Sequence, residues 1–241
     1  WSVSAIAEMP QVQFLSNGRY GLLITDSGAG YSAYARSRNG REEMTALTRW
    51  RADTTLDCWG TWIYVQDVES GALWSASEQP TGARADEGHA RFYPHRAEFL
   101  RRHGNISLHT VVGVAPDDDV EIRRLTLVNH SDEARRLRIT SYGEVVIASQ
   151  DQDRRHPAFN KMFIESEYVA DVNALLFSRR PRSAKEESLH MAHVLVTSPD
   201  TEASHRFESD RSGFIGRGRT TRAPAALRPA EDASTENDKQ W

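Results

Sequence analysis

The stretch Arg49-Trp50-Arg51, followed closely by Asp57-Cys58-Trp59-Gly60-Thr61-Trp62, gathers the residue types that hold a sugar. Sugar rings present apolar C–H faces ringed by hydroxyls, so their sites pair a flat indole with bidentate donors and acceptors such as Arg and Asp. Arg49, Trp50, Asp57 and Trp59 are the candidates here. Indoles also fill cores. Trp62, in phase with Tyr64 on an extended segment, is expected inside, whereas Trp50 and Trp59 stand at segment ends and suit either role. A second candidate is the polar break from Gln150 to Asn160, which carries a His, two Arg and a Phe between two strong strands. Long irregular loops on a rigid sheet are where binding groups concentrate, and a plain connector is the alternative.

Other chemistry finds less support. Ser27-Gly28-Ala29-Gly30-Tyr31-Ser32 has the glycines of a phosphate loop but no helix behind them, so a tight turn between strands is expected. His190 and His193 have an odd spacing that, on a strand, sends the rings to opposite faces and disfavours a metal chelate. No G-x-S-x-G surrounds any serine, and no carboxylate pair stands out; Asp53, Asp57 and Glu144 are simply the acids nearest aromatic clusters. Cys58, the one cysteine, is read as a small buried filler, and a single cysteine excludes an intramolecular disulfide.

The 241 residues are 39% hydrophobic and 27% charged with a net charge of −4, the profile of a globular chain with no basic footprint for nucleic acid. No apolar run approaches the ~20 residues that span a bilayer, and Trp1 to Pro10 lacks a signal-peptide layout. A cytosolic setting is expected. The start at Trp rather than Met suggests excision from a longer chain.

The elements that must position these residues are strands. Ile106, Leu108, Thr110, Val112 and Val114 alternate cleanly. From Val120 to Val128 the alternation slips by one residue, which predicts a β-bulge near Arg123-Arg124. Polar turns at Pro116–Asp119 and His130–Glu133 make these segments part of an antiparallel meander. Further strands are expected at 20–25, 46–50, 61–67, 89–93, 96–100, 137–142, 162–168, 174–178, 193–197 and 205–208, with turns at Asn17-Gly18, Asn39-Gly40 and Ser70-Gly71. No long helix is expected. The fold class is therefore all-β, a large antiparallel two-sheet sandwich over residues 1–219, with residues 220–241 as a polar tail or linker remnant.

Six runs in order, LSNGRYGLLITDSGAGYS (15–32), ALTRWRADTTLDCWG (46–60), EIRRLTLVNHSD (121–132), TSYGEVV (140–146), HPAFNKMFIESEY (156–168) and RRPRS (179–183), resemble one family. It is the glycoside phosphorylase family of cellobiose and chitobiose phosphorylases, in its N-terminal sandwich, and the likeness is strongest to the corresponding region of cyclic β-1,2-glucan synthases. The resemblance implies a galactose-mutarotase-like supersandwich that precedes a helical linker and an (α/α)6 barrel. In the family an Asp of the barrel protonates the leaving oxygen while phosphate attacks the anomeric carbon, so the chemistry belongs to the barrel. This chain departs from the pattern after Arg219, where it turns into a charged tail. The family's sandwich loops dimerise and reach toward a catalytic pocket, which makes Arg154, His156, Phe159 and Asn160 the implied contacts.

The expectation is an accessory carbohydrate-associated domain, not catalytic by itself and without a cofactor, phosphate being a co-substrate only of the full-length enzymes. Its expected partners are a glucan or oligosaccharide, the catalytic barrel of a parent enzyme or a second subunit, and a second copy in a homodimer, but not nucleic acid. The cytosolic setting includes the cytoplasmic part of a larger inner-membrane enzyme. An independent carbohydrate-binding module and a mutarotase-like epimerase are the alternatives; the epimerase requires a His and a carboxylate that converge.

Overall fold

A computed structural model describes residues 1–3, 8–38, 41–181, 188–198 and 204–228. Its strands are β1 (Ser2–Val3), β2 (Val12–Ser16), β3 (Tyr20–Thr25), β4 (Gly30–Arg38), β5 (Arg41–Thr48), β6 (Trp62–Asp67), β7 (Leu73–Ser75), β8 (Glu87–Tyr93), β9 (Arg96–His103), β10 (Ile106–Val114), β11 (Glu121–Asn129), β12 (Leu137–Tyr142), β13 (Val145–Ala148), β14 (Ile164–Val169), β15 (Ala174–Arg179) and β16 (His190–Val194). Among the described residues there are three short α-helices, α1 (Gln150–Arg155) and α2 (Pro157–Lys161) between β13 and β14 and α3 (Arg211–Ile215) after β16.

Two five-stranded antiparallel sheets, ordered β1-β8-β9-β10-β11 and β13-β5-β4-β3-β2, form the sandwich. Alternation along each strand decides which side chains meet between them. Ala90, Phe92, Ala97, Phe99 and Val112 of the first sheet pack on Leu15, Leu22 and Ile24 of the second. Two three-stranded sheets, β12-β6-β7 and β14-β15-β16, extend this core. β6 is buried on both faces: Val65 joins Trp74, Ile106 and Leu108, while Trp62 and Tyr64 meet Phe214, Ile215 and Leu227. The all-β expectation holds, and Trp62 is inside as expected.

The turn between β3 and β4 is the tight turn expected of Ser27–Gly30: Thr25 N–H donates to Ala29 O at 2.8 Å, and Gly28 N–H to Thr25 O at 3.0 Å. Gly30 has a φ of 141°, and a Cβ there would lie 1.9 Å from Leu23 O, so no other residue fits.

Several expectations are corrected. β10 and β11 pair one-to-one from Ile106↔Asn129 to Val114↔Glu121, with no bulge at Arg123-Arg124. The apparent slip arises because Val120, Ile122 and Val128 are exposed apolar residues, while Glu121 and Arg123 turn inward as an ion pair. Glu121 Oε1 accepts from Arg123 Nε at 2.5 Å, and Oε2 from the hydroxyls of Tyr20 and Ser32, so inward charge mimics a phase change. The break at 150–160 is two helices, each too short for three-turn periodicity to reveal. Residues 205–208 are not a strand, β5 ends at Thr48, and β16 begins three residues early at His190. The Asn39-Gly40 turn, and residues 182–183 of the last family-like run, lie outside the described residues.

Residues 220–228, where the polar tail was expected to begin, are docked: Tyr64 OH donates to Thr221 O at 2.6 Å, Gln66 Nε2 to Leu227 O at 2.8 Å and Arg222 Nε to Thr81 O at 3.0 Å. Backbone carbonyls do most of this anchoring, and they leave no side-chain pattern. Residues 229–241 lie outside the described part. Among the described residues no helix is long and apolar enough to cross a membrane.

Leu227 is 5% exposed against Tyr64 and Trp62. Its replacement by Ala should cost about 2–3 kcal/mol in urea unfolding, read as a lower midpoint at unchanged slope.

Candidate functional site

Where β5 ends, the backbone of Arg49 continues the sheet by donating its N–H to Glu144 O at 2.8 Å in the link from β12 to β13. Ser149 then caps α1, its Oγ accepting from Gln152 N–H at 3.3 Å, and the first turn carries Asp153 back toward Arg49. The result is a charge cluster. Arg49 Nη2 donates to Asp153 Oδ1 at 2.6 Å and Nε to Oδ2 at 3.0 Å, while Nη1 bonds Glu144 Oε2. Arg51 Nη2 donates to Asp153 O at 3.1 Å and to its carboxylate. On the other side Glu144 Oε1 accepts from Arg211 Nε of α3 at 2.6 Å and from Tyr142 OH at 3.0 Å, with Lys161 Nζ 3.9 Å from Oε2.

Arg49, Asp153 and Glu144 are almost fully buried, whereas Arg211 and Lys161 lead out to the surface with side chains 44% and 43% exposed. Four cations surround two carboxylates, an excess of positive charge at the rim that Asp210, within reach of Lys161's charge, offsets in part. Burial alone would raise the Glu144 carboxyl, but the Arg211 hydrogen bond and the charges of Arg49, Arg211 and Lys161 outweigh it and hold the pKa down. For Asp153 burial is likewise outweighed, by hydrogen bonds from Arg49 and Arg51. Acids held ionised in this way are anchors, not proton donors near neutral pH.

The sequence candidates are distributed unevenly around this cluster. Arg49 is its centre. Trp50 is half-buried, stacked on Tyr31 at 5.6 Å, and its Nε1 is buried without a partner. Asp57 is inside, its Oδ2 accepting from Thr25 at 2.5 Å and Ser27 at 2.7 Å, which fastens the β3–β4 turn instead of facing a sugar. Burial raises its pKa, and those two hydroxyls only partly oppose the rise. Trp59 is half-buried, and its carbonyl accepts from Gly30 N–H at 3.0 Å. Arg154 and His156 are exposed, His156 at the junction of α1 and α2, and Phe159 is 46% exposed with an edge-on contact to Phe163 at 5.1 Å. Asn160 is 3% exposed, so its amide lies within the fold beside Arg179 and does not form part of the rim. Cys58 is half-buried rather than a filler of the core.

The structure thus joins the two candidate stretches through Asp153, which, like Lys161 and Arg211, is not among the sequence candidates. Ser149 ahead of acids at helix first-turn positions was the available signal for Asp153; nothing local marks Arg211. His190 and His193 do point to opposite faces, and His193 Nε2 instead pairs with Ser141 Oγ at 2.8 Å. Among the described residues no group of three or more His, Cys, Asp or Glu is placed to hold a metal ion.

Comparison with known proteins follows the same outline. The family described as glycosyl hydrolase 94, supersandwich domain, matches residues 4–241. The chain is 35% identical over 220 residues to the cyclic beta-(1,2)-glucan synthase NdvB of Rhizobium meliloti (strain 1021), covering 91% of this chain and 8% of that protein. It is 26% identical over 152 residues to the N,N'-diacetylchitobiose phosphorylase of Vibrio proteolyticus, covering 61% of this chain and 18% of that enzyme. The Vibrio furnissii N,N'-diacetylchitobiose phosphorylase matches at 26% over 151 residues, with the same coverage. The chain therefore spans less than a fifth of the length of these curated relatives.

Asp153→Ala should cost about 3 kcal/mol, because it leaves Arg49 buried with Glu144 alone. Asp153 and Glu144 titrate lower folded than unfolded, so their stabilisation is complete above the ordinary carboxylate range, near pH 4, and is lost as the pH falls through their folded values. Urea melts at pH 7 and pH 3 should show a smaller loss on acidification in Asp153→Ala than in the parent.

Proposed function

Since the chain belongs to the glycosyl hydrolase 94 supersandwich-domain family, we propose that it is an accessory domain of a larger enzyme that makes or phosphorolyses β-linked glucans, and that it leaves the bond chemistry to other polypeptide. One observation carries this reading: the two carboxylates at the centre of the candidate site are clamped by Arg49, Arg51, Arg211 and Lys161, so neither can deliver a proton to a leaving glycosidic oxygen.

Its positive rim then serves as a docking surface. Arg211, Lys161 and Phe159 reach solvent around the buried pair, with Arg154 already paired to Asp151, and such a surface suits acidic loops of a catalytic barrel, or a second subunit, that close over a saccharide. Glucan, that barrel and a second copy of the chain are its proposed partners, and it takes no cofactor of its own. The lone cysteine supports a cytosolic position, including one within a larger inner-membrane enzyme.

A second reading, a mutarotase-like epimerase, draws on His109 Nε2 and Glu98 Oε2, 3.6 Å apart across β9 and β10. Arg96 Nε already donates to Glu98 Oε1 at 2.6 Å, however, and holds that buried carboxylate in an ion pair. Purified chain mixed with β-1,2-glucan and inorganic phosphate should release no glucose 1-phosphate, and polarimetry should find the anomers of glucose interconverting at the buffer rate. Phosphorolysis would overturn the accessory reading; faster mutarotation would replace it with the epimerase.

A further inference from the structure

At the end of the sandwich where the β6–β7 turn, the β9–β10 hairpin and the β11–β12 link meet, a cavity of about 360 Å³ opens to solvent, lined by Asp67, Trp74, His103, Asn105 and Arg135 among others. This is within the size range of small-ligand sites, roughly 300–1,000 Å³. None of the sequence candidates lines it.

Its walls are unfinished in hydrogen bonding. The indole of Trp74, 5% exposed, lies against the His103 ring with centroids 5.3 Å apart. Trp74 Nε1 and His103 Nε2 are both buried without a partner. An unmet buried polar group costs about 1–3 kcal/mol; both atoms belong to residues of the cavity wall but are shielded as that wall stands, so a ligand meets them only with a small movement of the His103 ring.

The charges, in contrast, are cancelled. Backbone N–H of Ser70 donates to Asp67 Oδ1 at 2.9 Å, and this hydrogen bond, helped by Arg135, outweighs burial to bring Asp67 down to about 2. Arg135 places Nε at 3.1 Å from Asp67 Oδ2 with Nη2 on the same oxygen, which leaves Nη1 unused by that pair. Burial, reinforced by the charge of Arg101, holds His103 at about 4, so its imidazole is neutral at physiological pH. The cavity combines an indole, a neutral imidazole, a side-chain amide and an internally neutralised ion pair. A phosphate or carboxylate would find no uncompensated cation, whereas a neutral polyhydroxylated ring could meet donors, acceptors and an aromatic wall. The hairpin that carries His103 is fastened, since Gly104, at φ 56°, donates its N–H to Asp86 Oδ2 at 2.7 Å, and Arg102 Nε donates to Gly104 O at 3.0 Å.

We infer that this cavity is a binding site for one neutral hexose unit of a glucan, distinct from the Arg49 cluster. The identity of the sugar rests on the glucan-associated reading above; the position and neutrality of the site rest on the cavity alone.

The test uses the ¹⁵N-labelled full chain, following its indole N–H signals, with the Trp74 and Trp50 signals assigned by Trp74→Phe and Trp50→Phe. Titration with glucose and with the β-1,2-linked glucose disaccharide should shift the Trp74 signal saturably. Glucuronate should bind at least about tenfold more weakly, and His103→Phe should weaken the disaccharide at least about tenfold, the size of one lost hydrogen bond. Asn105→Ala, at the rim, should weaken it severalfold and supplies the comparison if His103→Phe does not fold. A Trp74 signal unmoved up to about 100 mM sugar, beyond ordinary weak binding, overturns the inference. So does a shift confined to Trp50, which would relocate the sugar to the Arg49 cluster while leaving the accessory role intact. Phosphorolysis by a chain whose Trp74 signal responds would have the opposite meaning: the cavity stands and the accessory role falls.

Discussion

A guanidinium taken out of water needs its charge cancelled and its donors met, and Arg49, 7% exposed, imposes that requirement on everything around it. Glu144 and Asp153 meet it from two directions: one fixes the approach of β12 into β13, the other orients α1. Arg211 and Lys161 then converge on Glu144 from α3 and from the end of α2. A single buried cation at the end of β5 thus collects one edge of a five-stranded sheet and the three α-helices of the described residues into one unit.

The sandwich supplies the rigidity that makes this arrangement definite. Leu15, Leu22 and Ile24 packed against Phe92, Phe99 and Val112 fix the two large sheets face to face, and β6, covered on both sides, ties the smaller sheet and the segment 220–228 to them. Where charge enters this interior, as at Glu121 with Arg123, Tyr20 and Ser32, it does so fully partnered. The Glu121 network sits at a seam between sheets, where the apolar alternation of the strand looks irregular, whereas Trp50 Nε1, Trp74 Nε1 and His103 Nε2 are buried without a partner.

Two surfaces of different electrical character result. The Arg49 cluster ends in a positive rim suited to acidic polypeptide, whereas the cavity by Trp74 and His103 is internally neutral and suited to hydroxyl groups. They are built from different loops, so the partner proposed for one and the saccharide proposed for the other would not compete. The relatives, of which this chain covers less than a fifth, provide ample polypeptide for such a partner.

The sequence by itself determined many of the strands, the all-β class and the family, because alternation and ordered motifs are local properties that survive without coordinates: β3 and β12 are found at the residues where periodicity put them. It also marked Arg49 as a candidate contact, without its partners. Only the tertiary structure decided what Arg49 touches, since Glu144 and Asp153 lie 95 and 104 residues away and bond through geometry that no window spans. The same holds for Asp57, whose carboxylate serves a turn, for Asn160, which faces inward, and for the unbroken register of β11, where an inward ion pair imitated a bulge. Periodicity reports which residues are apolar; which polar residues are buried, and against whom, is settled by long-range packing alone.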